Sequence, residues 1–202
     1  MANAIVFDIG GVLIDLDVQA CVRAFLEDLG FRRITELLDP CHQKGIYGDM
    51  EAGILSPERF RELILAESRP GSRPEDVDRA MGALLARMQP GTVSLVKDLA
   101  TRYPLYLLSN NNPISMRRTH VIFQENGLGP GTFRDEFISC DMGLLKPSLP
   151  IYREAVRRIG LPAGEILFVD DNAANVDGAR EAGLEARLYR PGTSLALLLA
   201  DL

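Results

Sequence analysis

Short apolar runs alternate with segments of helical period over most of this chain. The apolar runs are residues 4–7, 105–108, 136–139, 166–169 and, more weakly, 185–189. Runs this short, with few polar residues, are typical of strands buried on both faces. The clearest helical segments between them are 93–101, 113–126, 150–159 and 172–182. This alternation predicts an α/β fold with a doubly wound parallel sheet and helices on both of its faces.

Residues 18–88 interrupt the alternation, because no convincing strand pattern occurs there. The segments with helical period in this region are 18–29, 57–68 and 74–88. We therefore predict a Rossmann-like core of residues 1–17 and 89–202, with a small helical cap inserted at 18–88. The Leu- and Ala-rich tail, 194–202, is predicted to be a docked terminal helix.

Composition excludes several classes of protein. A length of 202 residues with 47% apolar and 25% charged residues suits one globular domain with a modest insertion. The net charge of −6 argues against nucleic acid or an anionic membrane as a partner. No apolar stretch is long enough to span a membrane, and the amino terminus lacks a signal-peptide pattern. The three cysteines, Cys21, Cys41 and Cys140, form no CxxC pair, which favours reduced thiols in a cytoplasmic protein.

Asp8 is the most informative single residue. It ends the first apolar run and opens into the turn Gly10-Gly11. An isolated buried carboxylate costs several kcal/mol unless a cation or hydrogen-bond donors satisfy it. We therefore expect positive charge or donors to lie opposite Asp8.

The ends of the other predicted strands supply candidates. Ser109-Asn110 follows the second strand, Lys146 comes shortly after the third, and Asp170-Asp171 ends the fourth. In an open parallel sheet, ligands bind at the carboxyl ends of the strands, so these residues should converge with Asp8. Three carboxylates cannot all be ionised side by side without a cation, and oxygen ligands suit Mg²⁺.

Four motifs in this order resemble those of the haloacid dehalogenase superfamily, whose members are mostly phosphatases. The motifs are Phe-Asp-Ile-Gly-Gly-Val-Leu at 7–13, Leu-Leu-Ser-Asn at 107–110, Gly-Leu-Leu-Lys-Pro at 143–147 and Phe-Val-Asp-Asp-Asn at 168–172. Each motif alone is weak, whereas four in order are specific. The chain looks most like small bacterial sugar-phosphate phosphatases and the amino-terminal phosphatase domain of bifunctional epoxide hydrolases, which place a small helical cap between the first two motifs.

The resemblance implies a Mg²⁺-dependent hydrolase that acts on a small phosphorylated metabolite, a sugar phosphate being one candidate. Asp8 would attack phosphorus and form an aspartyl-phosphate. Ser109 and the backbone amide of Asn110 would hold a phosphoryl oxygen. Lys146 would neutralise both Asp8 and the incoming phosphate.

The metal ligands that the resemblance implies are Asp8, the backbone carbonyl of Gly10, Asp171 and, directly or through water, Asp170. The family pattern at the first motif is Asp-x-Asp, and its second Asp is the general acid and base. Gly10 occupies that position here, so the side-chain role is lost.

The glycine at this position predicts weak acid help for the leaving group. General acid–base catalysis contributes roughly 10²–10⁴-fold, so we expect slow turnover, a preference for good leaving groups, or a substitute acid. Asp15 and Asp17 follow in sequence and are candidates for that substitute.

Two other functions stay open. A 2-haloacid dehalogenase uses the same Asp nucleophile without a metal, but Asp170 and Asp171 would then lack a counter-cation. A non-catalytic binding module on a degraded phosphatase fold has Gly10 as its support, and the retained Asp8 and Lys146 argue against it. A phosphatase assay with and without EDTA separates the three.

Other polar residues carry less weight. Tyr47, Asp49 and Glu51, in the cap, either touch substrate or form a solvated turn, and we favour the turn. His42 and His120 have no acidic or nucleophilic partner at a useful spacing, so neither is assigned a catalytic role.

Overall fold

The computed structural model describes residues 2–38 and 44–202. Its centre is one five-stranded sheet in the spatial order β3-β2-β1-β4-β5. The strands are β1 (Ala4–Phe7), β2 (Leu105–Ser109), β3 (Asp135–Ile138), β4 (Ile166–Asp170) and β5 (Glu185–Leu188). Every neighbouring pair is parallel. The chain winds first to one side of β1 and then to the other, which confirms the predicted doubly wound parallel sheet.

Helices connect the strands and cover the sheet. In chain order they are α1 (Val18–Arg23), α2 (Ile34–Leu37), α3 (Gly45–Glu51), α4 (Pro57–Ala66), α5 (Pro74–Gly82), α6 (Pro90–Arg102), α7 (Pro113–Glu125), α8 (Ser139–Met142), α9 (Leu149–Ile159), α10 (Ala173–Glu181) and α11 (Leu195–Leu198). A π-helical stretch, Ala24–Leu29, continues α1, and a short 3₁₀ turn, Ala163–Glu165, precedes β4.

Alternating residues of the central strand pack into two separate hydrophobic clusters, one on each face of the sheet. Ile5 and Phe7 belong to a cluster with side chains of α6, α7 and the region of α11. Ala4 and Val6 belong to a cluster on the opposite face, with side chains of α9 and α10. All four residues are buried, because β1 lies in the middle of the sheet with helices on both faces.

Helices α1 to α5, which we call the cap, share a third hydrophobic cluster. Phe25, Met50, Phe60 and Met81 are among its fully buried members, and Ile114 of α7 joins it. Thus α7 packs against both the cap and the layer beside the sheet. The division of the chain into domains at residues 17 and 88 stays a prediction.

The helix predicted at 74–88 ends early, at Gly82. The backbone beyond it pairs with the segment that leaves the first motif: Leu16 and Leu85 form an antiparallel bridge, and the Asp15 N–H donates to the Arg87 carbonyl at 2.8 Å. These bonds compete with helical ones, and helical period in the sequence does not reveal them.

No helix in the described ranges is both long and apolar enough to cross a membrane.

Candidate active site

The carboxyl ends of β1, β2 and β4 surround one buried ammonium group. Lys146 Nζ lies 3.0 Å from Asp8 Oδ1 and 2.7 Å from Asp170 Oδ2, and it donates to the Leu108 carbonyl at 2.9 Å. All three of its protons therefore have acceptors. Lys146 is 3% exposed. Burial alone lowers the pKa of Lys146, but Asp170 and Asp8 more than offset it, so its pKa lies above the usual value.

Asp170, the last residue of β4, is fully buried and fully bonded. Its Oδ1 accepts from the Asn172 backbone N–H at 2.8 Å and from Asn175 Nδ2 at 3.1 Å. Its Oδ2 accepts from Lys146 and again from Asn175. Such an arrangement fixes the carboxylate and, through it, the ammonium group. No local sequence pattern indicates a role for Asn175, which reaches Asp170 because α10 begins directly beyond β4.

Asn110 holds the backbone of Lys146 with its side chain. Asn110 Oδ1 accepts from the Lys146 N–H at 2.8 Å, and Asn110 Nδ2 donates to the Lys146 carbonyl at 3.0 Å. From the sequence, only the backbone amide of Asn110 was expected to take part, in binding phosphate. Its side chain thus joins the end of β2 to the loop that presents Lys146. Ser109, just before it, is 3% exposed at the last position of β2.

The acid cluster has the composition of a divalent metal site. Asp8, Asp170 and Asp171 each place one carboxylate oxygen within 4.8 Å of those of the others. Burial raises the pKa of Asp8, Lys146 partly offsets this, and Asp170 adds to it. Burial, followed by Asp8 and Asp170, raises the pKa of Asp171 to about 6. One ammonium therefore does not balance three carboxylates, and an oxygen-rich set of this kind fits Mg²⁺.

The two glycines of the first motif differ in whether the backbone and its neighbours require glycine at that position. Gly11 has a φ of +75°, and a Cβ there would overlap the carboxylate of Asp171. Gly10 has no such backbone constraint, and a Cβ would lie 3.3 Å from Leu16 Cδ2. Leu16 is 44% exposed and able to move. The fold therefore requires glycine at position 11 but not at position 10.

The nearby acids considered as substitutes are engaged elsewhere. Asp15 accepts a hydrogen bond from the Gln89 side chain and lies 4.0 Å from Arg87. Asp17 is the N-cap of α1 and accepts from the Ala20 N–H at 2.8 Å. The contacts of both aspartates are thus with residues other than Asp8.

The turn expected at Tyr47, Asp49 and Glu51 is wrong, and of the three only Asp49 is solvated as expected. They lie on α3, where Asp49 is exposed but Tyr47 and Glu51 are 1% and 9% exposed. Burial, with a further contribution from Asp8 and partial compensation by Lys146, raises the pKa of Glu51 to about 8. Two glycines in a seven-residue helix weaken its sequence signal, which explains the error.

His120 does have an acidic partner, contrary to expectation. Its Nε2 lies 2.8 Å from Glu136 Oε2, on β3. Both side chains are partly exposed, at 48% and 32%. The pair joins α7 to the edge of the sheet, across a separation of 16 residues that no local pattern reveals. His42 and Cys41 lie outside the described residues, whereas Cys21 and Cys140 are free thiols.

Comparison with known proteins places these features in a family. The model of the haloacid dehalogenase-like hydrolases matches residues 2–183. The D-ribitol-5-phosphate phosphatase of Bacteroides thetaiotaomicron is 30% identical over 187 residues, which cover 92% of this chain and 90% of that protein. The sesquiterpene phosphatase of Aspergillus oryzae is 26% identical, with coverage of 90% and 87%.

Solved structures of haloacid dehalogenase-type proteins are similar to this chain. A haloacid dehalogenase family enzyme of Bacteroides thetaiotaomicron, a mutant in complex with magnesium and inorganic phosphate, superposes with a TM-score of 0.89 at 26% identity, covering 98% of this chain and 99% of that one. A predicted hydrolase of the same type from Porphyromonas gingivalis gives 0.88 at 30% identity, with coverage of 100% and 97%. The L-2-haloacid dehalogenase of Xanthobacter autotrophicus shares the fold, with a TM-score of 0.64 at 22% identity and coverage of 98% and 86%.

Proposed function

Because the chain belongs to the haloacid dehalogenase-like hydrolase family, we propose that it hydrolyses small phosphate monoesters, with Mg²⁺ as cofactor and Asp8 as nucleophile. The observation that carries the proposal is the contact between Asp8 and Lys146 at 3.0 Å, inside a cluster of three carboxylates. A nucleophilic carboxylate held beside a fixed ammonium is suited to attack on a phosphoryl group, whose own negative charge the ammonium offsets.

In the proposed reaction, an oxygen of Asp8 attacks phosphorus and the ester oxygen leaves. Water then cleaves the aspartyl-phosphate and regenerates Asp8. Lys146 holds Asp8 in place and faces the transferred group, while Ser109 and the backbone amide of Asn110 bind phosphoryl oxygens. Positioning and charge stabilisation account for most catalysis in phosphoryl transfer, and this set of residues supplies both.

Asp8, Asp171 and the carbonyl of Gly10 are the residues proposed to hold Mg²⁺. Asp170 is assigned contact through water, because both of its oxygens already accept hydrogen bonds from protein donors. When bound, the metal ion would supply positive charge that offsets the carboxylates and the phosphate. A related enzyme was solved with magnesium and inorganic phosphate, in agreement with this choice.

The proposed substrate is a sugar phosphate or a polyol phosphate. One relative that aligns with nearly the whole chain is named for D-ribitol 5-phosphate. A dehalogenase reaction without metal is a weaker proposal, since Asp171 would then share its site with Asp8 and Asp170 without a counter-cation. A pure binding role does not explain why Asp8 and Lys146 are held in contact in a buried position.

The test is phosphate release from a panel of sugar and polyol phosphates, with Mg²⁺ and with EDTA. We expect activity with Mg²⁺ that EDTA abolishes. Asp8→Asn should lower kcat by roughly 10³-fold or more, as removal of a nucleophile does. The matched control is Asp28→Asn, which changes an exposed acid of the cap and should act like the wild type. Substantial turnover by Asp8→Asn would refute the covalent route.

A further inference from the structure

Glu51 of the cap is a buried acid without a partner. It is nine-tenths buried, yet among the described residues its carboxyl group makes neither a hydrogen bond nor a salt bridge. Its oxygens are not among the fully enclosed side-chain atoms that lack a partner, so solvent reaches the carboxyl group of this otherwise buried residue. A ligand that displaced the solvent would therefore find a free hydrogen-bonding group there.

The backbone at Glu51 is fixed onto the strand ends. Ser139 Oγ donates to the Glu51 carbonyl at 2.6 Å and accepts from the Asn111 N–H at 3.0 Å. Two residues further on, Gly53 passes so close to α8 that a Cβ would overlap the carbonyl oxygen of Cys140. The end of α3 is thus held against the segments that follow β2 and β3, which are the edge of the sheet that carries the active site.

The charges that act on the Glu51 carboxyl are those of the active site. They are Asp8, which opposes its ionisation, and Lys146, which favours it. Tyr47, one turn earlier on α3, is the other titratable group that interacts with it. The carboxyl group of Glu51 is therefore near enough to Asp8 and Lys146 for their charges to act on it, at the end of the helix that is held against the strand ends.

We propose that Glu51 contacts the leaving-group oxygen of the substrate and donates the proton that this oxygen needs, in place of the side chain that Gly10 lacks. The inference rests on the phosphatase function proposed above. It names one further catalytic residue of that site, on the cap side of the cleft.

As an Asp8 oxygen bonds to phosphorus, the bond from phosphorus to the ester oxygen breaks, and the Glu51 carboxyl proton passes to that oxygen, which leaves as an alcohol. The Glu51 carboxylate then takes a proton from the water that attacks the aspartyl-phosphate. Inorganic phosphate, Asp8 and protonated Glu51 result, so one ester and one water become one alcohol and one phosphate.

Other acids near the first motif are poorly placed for this role. Asp15 and Asp17 are bonded to Gln89 and to the start of α1, and the space over Gly10 is occupied by Leu16. Burial supports the assignment to Glu51, since it raises the pKa of this carboxyl group and so favours the protonated form. With such an acid, phosphates of ordinary alcohols become substrates despite their poor leaving groups.

The test is Glu51→Gln, which keeps the shape of the side chain and removes the acidic proton. We would measure kcat/KM, with Mg²⁺ present, for phosphate esters ranging from 4-nitrophenyl to primary alkyl. We expect a loss of roughly 10²-fold or more for alkyl esters and less than about 10-fold for 4-nitrophenyl phosphate. The fall of kcat at high pH, as Glu51 loses its proton, should disappear in the variant.

Two more variants separate acid catalysis from a structural role. Glu62→Gln changes an exposed acid of the cap and should leave every rate unchanged. Adding Gly10→Asp to Glu51→Gln should recover part of the alkyl-ester activity, because it returns a carboxyl group to the family position. Equal losses for aryl and alkyl esters, or no loss, would overturn the inference. If the wild type hydrolysed no phosphate ester, the proposed function itself would fail.

Discussion

Buried charged groups are bonded differently on the two sides of the site. We call the strand-end side, with Asp8, Lys146 and Asp170, the floor, and the cap side, with Glu51, the roof. On the floor, Lys146 contacts two carboxylates and a carbonyl, and Asp170 accepts hydrogen bonds on both oxygens. On the roof, Glu51 is nearly as buried but has no partner within the described ranges. The groups of the floor are thus bonded to one another within the protein, whereas the group on the roof is the one that we propose to bond the substrate.

The difference follows from what each group must do. The proposed nucleophile and the ammonium beside it need fixed positions, and a set of strong hydrogen bonds provides them at no further cost during the reaction. A proton donor must instead stay neutral until the ester oxygen departs, and a poorly solvated carboxyl without a cationic partner does so. Substitutions on both sides of the site test this difference.

Lys146→Met should have the largest effect, because it removes the cation that Asp8 and Asp170 share on the floor. It leaves Asp8 and Asp170 buried without their shared cation, which typically costs about 3–5 kcal/mol. Urea unfolding should show this loss, and phosphatase activity should be abolished. Lys97→Met is the control, since Lys97 is exposed and should change stability by less than about 0.5 kcal/mol. A fully stable Lys146→Met protein would show that the contacts of Lys146 matter little to the fold.

Glu51→Gln should change how stability depends on pH. The folded pKa of Glu51, about 8, lies above the unfolded value, so its contribution is fully present below the unfolded pKa and is lost as pH rises towards 8. Between pH 5 and pH 8, wild type should therefore lose roughly 3 kcal/mol more stability than Glu51→Gln, by the cost of about 1.4 kcal/mol per pKa unit. Urea unfolding in EDTA at several pH values measures the difference. Parallel curves for the two proteins would contradict the raised pKa.

The adjacent glycines provide a matched pair on the floor. Gly11→Ala forces a side chain into a left-handed backbone and against Asp171, so we expect a loss of about 2 kcal/mol or more. Gly10→Ala meets only the movable Leu16 and should cost less than about 1 kcal/mol. Thermal unfolding of both variants tests the contrast. Similar melting temperatures would mean that the loop adapts to either side chain.

Asn110→Ala should have the smallest effect of the four. It removes two hydrogen bonds to the backbone of Lys146, worth about 1 kcal/mol each. Because Lys146 would then be held less firmly, we expect kcat to fall by roughly 10-fold with little change in KM. Asn126→Ala removes one hydrogen bond at the end of α7 and should leave kcat unaltered. A pure KM effect would instead assign Asn110 to substrate binding.

The sequence predicted the fold and the residues of the floor for the same reason. All five strands were found, and Asp8, Lys146 and Asp170 were expected because each follows a strand directly or belongs to a motif. The family prediction is confirmed as well, by the match over residues 2–183. Assignment to the cytoplasm, the domain limits and the roles of the site residues stay predictions.

The site features that could not be predicted from the sequence depend on tertiary contacts. Asn175 and the side chain of Asn110 act through partners 5 and 36 residues away, and no local pattern encodes such a bond. Glu51 was assigned to a solvated turn because α3 is short and rich in glycine, and its burial depends on packing against segments 88 residues distant. The roof of the cleft was therefore less predictable than its floor.

Asp8 is proposed to carry the phosphoryl group during turnover, and trapping of the intermediate tests this directly. Wild-type protein should be mixed with Mg²⁺ and an excess of a phosphate ester that it hydrolyses, quenched in acid within milliseconds, and examined by peptide mass spectrometry. We expect a phosphoryl group on the peptide that contains Asp8, formed before steady-state phosphate release and absent in Asp8→Asn. Rapid turnover of the ester with no phosphorylated Asp8 at any quench time, while Asp8→Asn remains active, would contradict it.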